Sequence, residues 1–134
     1  MPLLRVPLIG ERALLEQRED GRLAIVRRAD GVVAGHVLLE RREAALFVRE
    51  LVVDSAYRGY GLGSDTARLL REAASDAGFA VLRGWAPPHL GLAVYFWSRM
   101  GLHPVFGDGP GGGISFERVL APPASPAATG TSRS

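Results

Sequence analysis

The apolar and polar positions of the chain change period along its length, and the changes divide it into elements. Leu3 to Ile9 reads as a first strand, which Pro7 confines to an edge or to the strand end. Glu11 to Asp20 predicts one short helix, ended by Gly21. From Leu23 the pattern becomes extended: Leu23 to Arg28, then Asp30-Gly31, then Val32 to Leu39. An Asp-Gly pair between two β-rich runs signals a hairpin, so these strands are expected to be antiparallel neighbours. A further strand, Ala45 to Val53, follows Arg41-Arg42-Glu43 and extends the meander into a turn with glycines at 59, 61 and 63.

Beyond that turn the period lengthens. Ser64 to Ala77 places Ala67, Leu70 and Ala74 at helical spacing, with Leu69 and Ala73 alongside, and Gly78 supplies a stop. Phe79 to Trp85 reads as a short buried strand, which completes a β-α-β unit with parallel strands. Pro87-Pro88 breaks the chain. Gly91 to Met100 is apolar nearly all round and predicts a second helix with Phe96 and Met100 inward, ended by Gly101. Val105-Phe106 then hairpins through Gly107 to Gly113 into Ile114 to Leu120. The expected fold is α+β: one domain over residues 1–120 with a mixed, mostly antiparallel sheet, a central β-α-β unit and a C-terminal hairpin. The remaining Ala121 to Ser134, built from Ala, Pro, Ser, Thr, Gly and one Arg, is expected to be a disordered tail.

Composition narrows the function. A chain of 134 residues with 47% apolar residues supports a single core. It has no apolar run long enough for a membrane span and no basic-then-apolar leader, so the expectation is a soluble cytoplasmic protein without a membrane partner. With no cysteine, and with His36, His89 and His103 far apart, no metal site is expected. All 16 basic residues are Arg, which suits a GC-rich bacterial coding composition. They are interleaved with acids to a net charge of +2, so a nucleic-acid partner is not expected.

The glycine turn carries the chemistry. A strand leading through glycines into a helix offers bare N–H groups and the positive end of a helix dipole, which together cradle a phosphate; a plain tight connector is the competing reading. A Walker loop needs a Lys that this chain lacks, and a dinucleotide fingerprint needs glycine where Ser64 stands. Leu51-Val52-Val53-Asp54 followed by Arg58-Gly59-Tyr60-Gly61-Leu62-Gly63 resembles the coenzyme A pyrophosphate loop of the GNAT superfamily of acyl-CoA-dependent N-acetyltransferases. At the positions of a second motif that the family often has, Asn-x-x-Ala-x-x-Phe-Tyr-x-x-x-Gly-Phe, this chain reads Leu90, Ala93, Phe96, Trp97, Gly101 and Leu102.

The resemblance implies a GNAT-like fold, acetyl-CoA as co-substrate and direct acyl transfer to a primary amine in a ternary complex. The acceptor is left open between a small-molecule amine, an amino acid and a protein N-terminus. It implies that the backbone of Leu51, Val52 and Val53 pairs with the pantetheine arm. It also implies that Gly59, Tyr60, Gly61, Leu62, Gly63 and Ser64 offer N–H groups to the pyrophosphate, with Arg58 at the rim and the Asp65 side chain turned away. Glu50, at the acyl end of the strand, is the candidate base; Glu40, His36 and His89 are weaker candidates. This chain departs from the pattern at Trp97, where the family has the Tyr that acts as acid. Tyr95 lies roughly 200° around the helix and Ser98 is a poor donor. A non-catalytic acyl-CoA-binding or regulatory module is therefore the alternative. The family's two N-terminal helices have only Glu11 to Asp20 to occupy, which predicts an acceptor site that is open or completed by a second subunit in a homodimer.

Overall fold

A computed structural model describes residues 3–18, 20–86, 96–108 and 114–120. Its strands are β1 (Leu8–Ile9), β2 (Ala13–Gln17), β3 (Leu23–Arg27), β4 (Val33–Arg42), β5 (Ala45–Val53), β6 (Val81–Ala86), β7 (His103–Asp108) and β8 (Ile114–Val119). They form one mixed sheet in the order β1-β2-β3-β4-β5-β6-β8-β7. Every pairing is antiparallel except β5 with β6, which the helix α1 (Leu62–Asp76) connects as a β-α-β unit. The expected α+β architecture is therefore the observed one. The Asp30-Gly31 hairpin forms with Gly31 at φ +75, and Gly78 at φ +92 ends α1 as a left-handed residue that glycine adopts without Cβ strain.

The N-terminal segment differs from expectation. Residues 13–17 are a strand paired along its whole length with β3, not part of a helix over Glu11 to Asp20. The Ala13-Leu14-Leu15-Glu16 run satisfies both periods, and burial decides between them: Ala13 and Leu15 are fully buried on the core face while Glu16 turns outward. A helix would have left the β3 edge unpaired, and tertiary pairing overrides the weak local preference. The first strand is also shorter than Leu3 to Ile9, with only Leu8 and Ile9 paired to β2.

One apolar cluster holds the fold. Leu69, Leu70 and Ala74 of α1 meet Leu46 and Val48 of β5 and Leu82 of β6. Trp97, in the helical residues 96–99, packs its indole against Gly84 and belongs to the same cluster. Both helical segments therefore cover one face of the sheet. The other face carries Ala24, Val26 and Phe47, buried but outside that cluster, with His36 and Glu50 beside them. No described helix covers it, because β2 runs into β3 through residues 18–22 alone. Phe47 is shielded by Arg42, whose guanidinium carbon sits 4.0 Å from the ring centroid.

Two irregularities of β5 set the geometry at its C-terminal end. Leu38 pairs with Glu50 and Leu39 with Val48, which leaves Arg49 as a bulged residue without a partner across the sheet. The parallel pairing with β6 covers only Ala45, Leu46 and Phe47, although both strands continue. From Val48 onward β5 and β6 part.

Candidate functional site

The splayed interval of β5 exposes backbone groups on one edge. Asp54 N–H donates to Ala34 O at 2.7 Å, so in the antiparallel β4–β5 ladder Val52 and Glu50, at the same parity, bond toward β4. Leu51 and Val53 direct their N–H and C=O groups the other way, into the gap toward β6. Arg58 makes this visible, since its Nε donates to Val53 O at 2.9 Å. Of the Leu51, Val52 and Val53 run, the first and last face the gap while Val52 serves β4.

The gap leads to the glycine turn. A 3₁₀ turn, Ser55–Tyr57, follows Asp54, and Gly59 and Gly61 sit at φ +87 and +81, where a β-carbon is strained. Gly61 caps α1 without a side-chain hydrogen bond. Asp65 N–H reaches Gly61 O at 3.0 Å, whereas the N–H groups of Leu62, Gly63 and Ser64 have no acceptor among the described residues. A Cβ on Gly63 would press on Phe96 at 3.4 Å and Val53 at 3.8 Å, so the bare helix end lies against the last residue of the splayed strand. Unpaired donors at a helix N-terminus next to a free strand edge fit an extended amide-bearing chain ending in phosphates.

Asp65 turns away from this end. Its Oδ2 accepts the N–H groups of Arg12 and Ala13, both at 2.9 Å, and its Oδ1 accepts Arg68 Nη2 at 2.7 Å. Burial pushes the carboxyl up, but the Arg12 N–H, the Arg68 guanidinium and the Ala13 N–H outweigh it and hold the group below the ordinary aspartate range. The carboxylate clamps the start of β2 beneath α1.

On the uncovered sheet face Glu50 and His36 meet, with Nε2 to Oε1 at 2.9 Å, and Arg22 Nη2 lies 3.8 Å from the same oxygen. Glu50 Oε2 has no protein partner among the described residues. A cavity of ≈ 330 Å³ adjoins the pair, with Arg22, Ala24, Gly35, His36 and Asp54 in its wall. Arg22 Nε is buried there without an acceptor among the described residues. Glu40 stands apart from this group, held below the ordinary carboxylate range chiefly by the hydrogen bond from Arg42. His89 and Tyr95 lie outside the described residues.

Trp97 is structural. It is 4% exposed and its indole N–H donates to Trp85 O at 3.2 Å. Ser98 beside it faces solvent.

Sequence reasoning missed Arg12, Arg27 and Arg28, which line a second cavity with Tyr60 and Leu62. They come from the β1–β2 turn, the end of β3 and the β3–β4 turn, so no local spacing links them to the glycine turn. The Asp65 clamp was likewise invisible, because its acceptor role depends on a strand 52 residues earlier.

Known structures share this fold. A GNAT acetyltransferase from Bacillus anthracis superposes with a TM-score of 0.72 at 11% identity, covering 85% of this chain and 98% of that one. The PaiA N-acetyltransferase of Thermoplasma acidophilum, solved in complex with coenzyme A, superposes at 0.62 with 14% identity over 74% of this chain and 60% of that one. Ard1 from Thermoplasma volcanium gives 0.64 at 13% identity over 75% and 71%. At these identities the likeness concerns the fold. No protein of curated function matches the chain by sequence. The sequence model of the acetyltransferase (GNAT) family matches residues 5–101, which span the splayed strand, the glycine turn and α1, and with that match the chain belongs to the GNAT acetyltransferase family.

Proposed function

We propose that the protein transfers an acetyl or other acyl group from acyl-CoA to a primary amine by direct transfer in a ternary complex. The observation that carries this reading is the continuity of the free β5 edge with the uncapped N-terminus of α1. Leu51 and Val53 would pair with the amides of the pantetheine arm as a neighbouring strand does, over about 17 Å from Val48 to Val53. The N–H groups of residues 62–64, with Gly59 and Gly61 giving close approach, would hold the pyrophosphate. Arg58 would exchange its bond to Val53 O for a phosphate contact at the rim.

Acyl-CoA, when bound, supplies a thioester carbonyl that the amine attacks with release of the thiol. The Arg49 bulge turns β5 at the acyl end, next to Glu50. Glu50 Oε2, free of protein partners among the described residues, accepts the proton of the acceptor ammonium, while His36 on Oε1 fixes the rotamer. The amine enters over the uncovered sheet face, where Asp54 and His36 line the cavity. No described helix covers that face, and the acceptor stays open between a small amine, an amino acid and a protein N-terminus. Trp97 is locked in the core, so the departing thiolate takes its proton from solvent.

Calorimetric titration with acetyl-CoA, CoA and NAD, followed by thiol release against an amine library, tests the two halves separately. The expected result is micromolar binding of both coenzyme A species, none of NAD, and turnover on at least one amine. Absence of coenzyme A binding would overturn the reading. The burial of Trp97 at the family's acid position favours one second reading, a non-catalytic acyl-CoA-binding module, and binding without turnover on any amine would select it.

A further inference from the structure

The β1–β2 turn, the end of β3 and the glycine turn border an open hollow of ≈ 460 Å³, lined by Glu11, Arg12, Arg27, Arg28, Tyr60 and Leu62 among others. Guanidinium groups that converge on one hollow repel one another unless carboxylates or a ligand offset them. Arg12 and Arg28 have no carboxylate within ion-pair distance among the described residues. Arg12 Nη1 donates only to Tyr60 O, at 3.5 Å, and Arg28 Nη1 donates to Gly10 O at 2.7 Å, so both are held by backbone with donors to spare. Arg27 reaches Asp30 Oδ1 at 3.6 Å and lies over the rings of Tyr57 and Tyr60, at 5.1 and 5.7 Å from their centroids. Glu11 is the one acid in the wall among the described residues. Tyr60 and Leu62 flank Gly61, so the cavity opens directly beside the helix end whose N–H groups lack acceptors.

We propose that this cavity binds the 3′-phosphate of the acyl donor's adenosine, with Arg12 and Arg28 as its ligands and Arg27 bracing the Tyr60 ring. The inference rests on the acyl-CoA reading above. The glycine turn accommodates the pyrophosphate, and the remaining anionic group of coenzyme A is a phosphate monoester on the adjoining ribose. A dianion matches two unpaired guanidiniums with bidentate geometry. Tyr60, 60% exposed, presents a ring face on which the adenine stacks. The site uses residues outside the glycine motif, so it makes donor selection a property of this chain's own N-terminal turn and hairpin.

The experiment compares calorimetric affinities for CoA and 3′-dephospho-CoA in the wild-type protein, in an Arg12→Gln/Arg28→Gln double variant and in an Arg71→Gln charge control. Wild type should bind CoA at least tenfold tighter than dephospho-CoA. The double variant should bring the two within twofold, with dephospho-CoA affinity kept within twofold of wild type, and Arg71→Gln should leave the gap intact. Arg12 and Arg28 are exposed, and retained dephospho-CoA binding reports that the variant is folded. Equal wild-type affinities would overturn the proposal while leaving the acyl-CoA reading in place, and would leave a free phosphate or an anionic acceptor as the site's occupant. Equal loss of both ligands in the double variant, or equal narrowing in Arg71→Gln, would also overturn it. Failure of wild type to bind either ligand would remove both readings together.

Discussion

At the scale of single residues, Glu50 stands out for what only one of its oxygens does. His36 and Arg22 engage Oε1, and in the proposed mechanism Oε2 is the oxygen that accepts the proton. Glu50→Gln keeps the shape and one acceptor oxygen but removes the basic site. Its kcat should fall by about 100-fold, on the scale of general-base contributions, with coenzyme A affinity within twofold of wild type. Steady-state kinetics across pH check this, and an unchanged pH–rate profile would remove Glu50 from the role. Glu50 is legible in the chain because it directly precedes the strand segment that resembles the coenzyme A motif. Its hydrogen bond to His36, 14 residues earlier, depends on the bulge at Arg49, which shifts the β4–β5 register and has no sequence signature.

At the scale of elements, the glycine turn and β2 show opposite behaviour. The turn is legible because its backbone conformations need glycine: Gly59 and Gly61 have positive φ whatever packs around them. Gly61→Asp places a strained β-carbon under Arg12 and a carboxylate at the helix end that should hold phosphate. Coenzyme A binding should weaken at least tenfold, about 1.4 kcal/mol or more, and titration calorimetry that found wild-type affinity would refute the pyrophosphate assignment. The strand β2 reads as a helix because its five residues of Ala, Leu, Glu and Gln carry helix propensity, worth only tenths of a kcal/mol each. Pairing with β3 and burial of Ala13 and Leu15 exceed that preference, and both are long-range.

At the scale of the whole molecule, Asp65 ties the sheet to α1. Its folded-state carboxyl lies below the ordinary value of 3.8, so its contribution to stability is present above that value and is lost as pH falls through the lower, folded one. Asp65→Ala leaves the N–H groups of Arg12 and Ala13 without their acceptor and should cost about 3 kcal/mol at pH 7. Urea unfolding at pH 7 and pH 3 checks the linkage: the difference between the two pH values should shrink in the variant, and an equal difference would assign the acid sensitivity elsewhere. The same clamp brings Arg12 to the glycine turn, so the helix end and the cationic cavity lie side by side.

The sequence by itself determined the hairpin at Asp30-Gly31, the β-α-β unit and the glycine turn that leads into α1, because each rests on local conformational requirements or short-range periodicity. Tertiary structure alone decided that residues 13–17 form a strand, that no described helix covers one sheet face, and that β5 and β6 part after Phe47. It also decided that Arg12 and Arg28 converge beside Gly61. Those outcomes depend on which strands pair and where a register slips, and such contacts are set by burial across the whole sheet rather than by any short stretch of the chain.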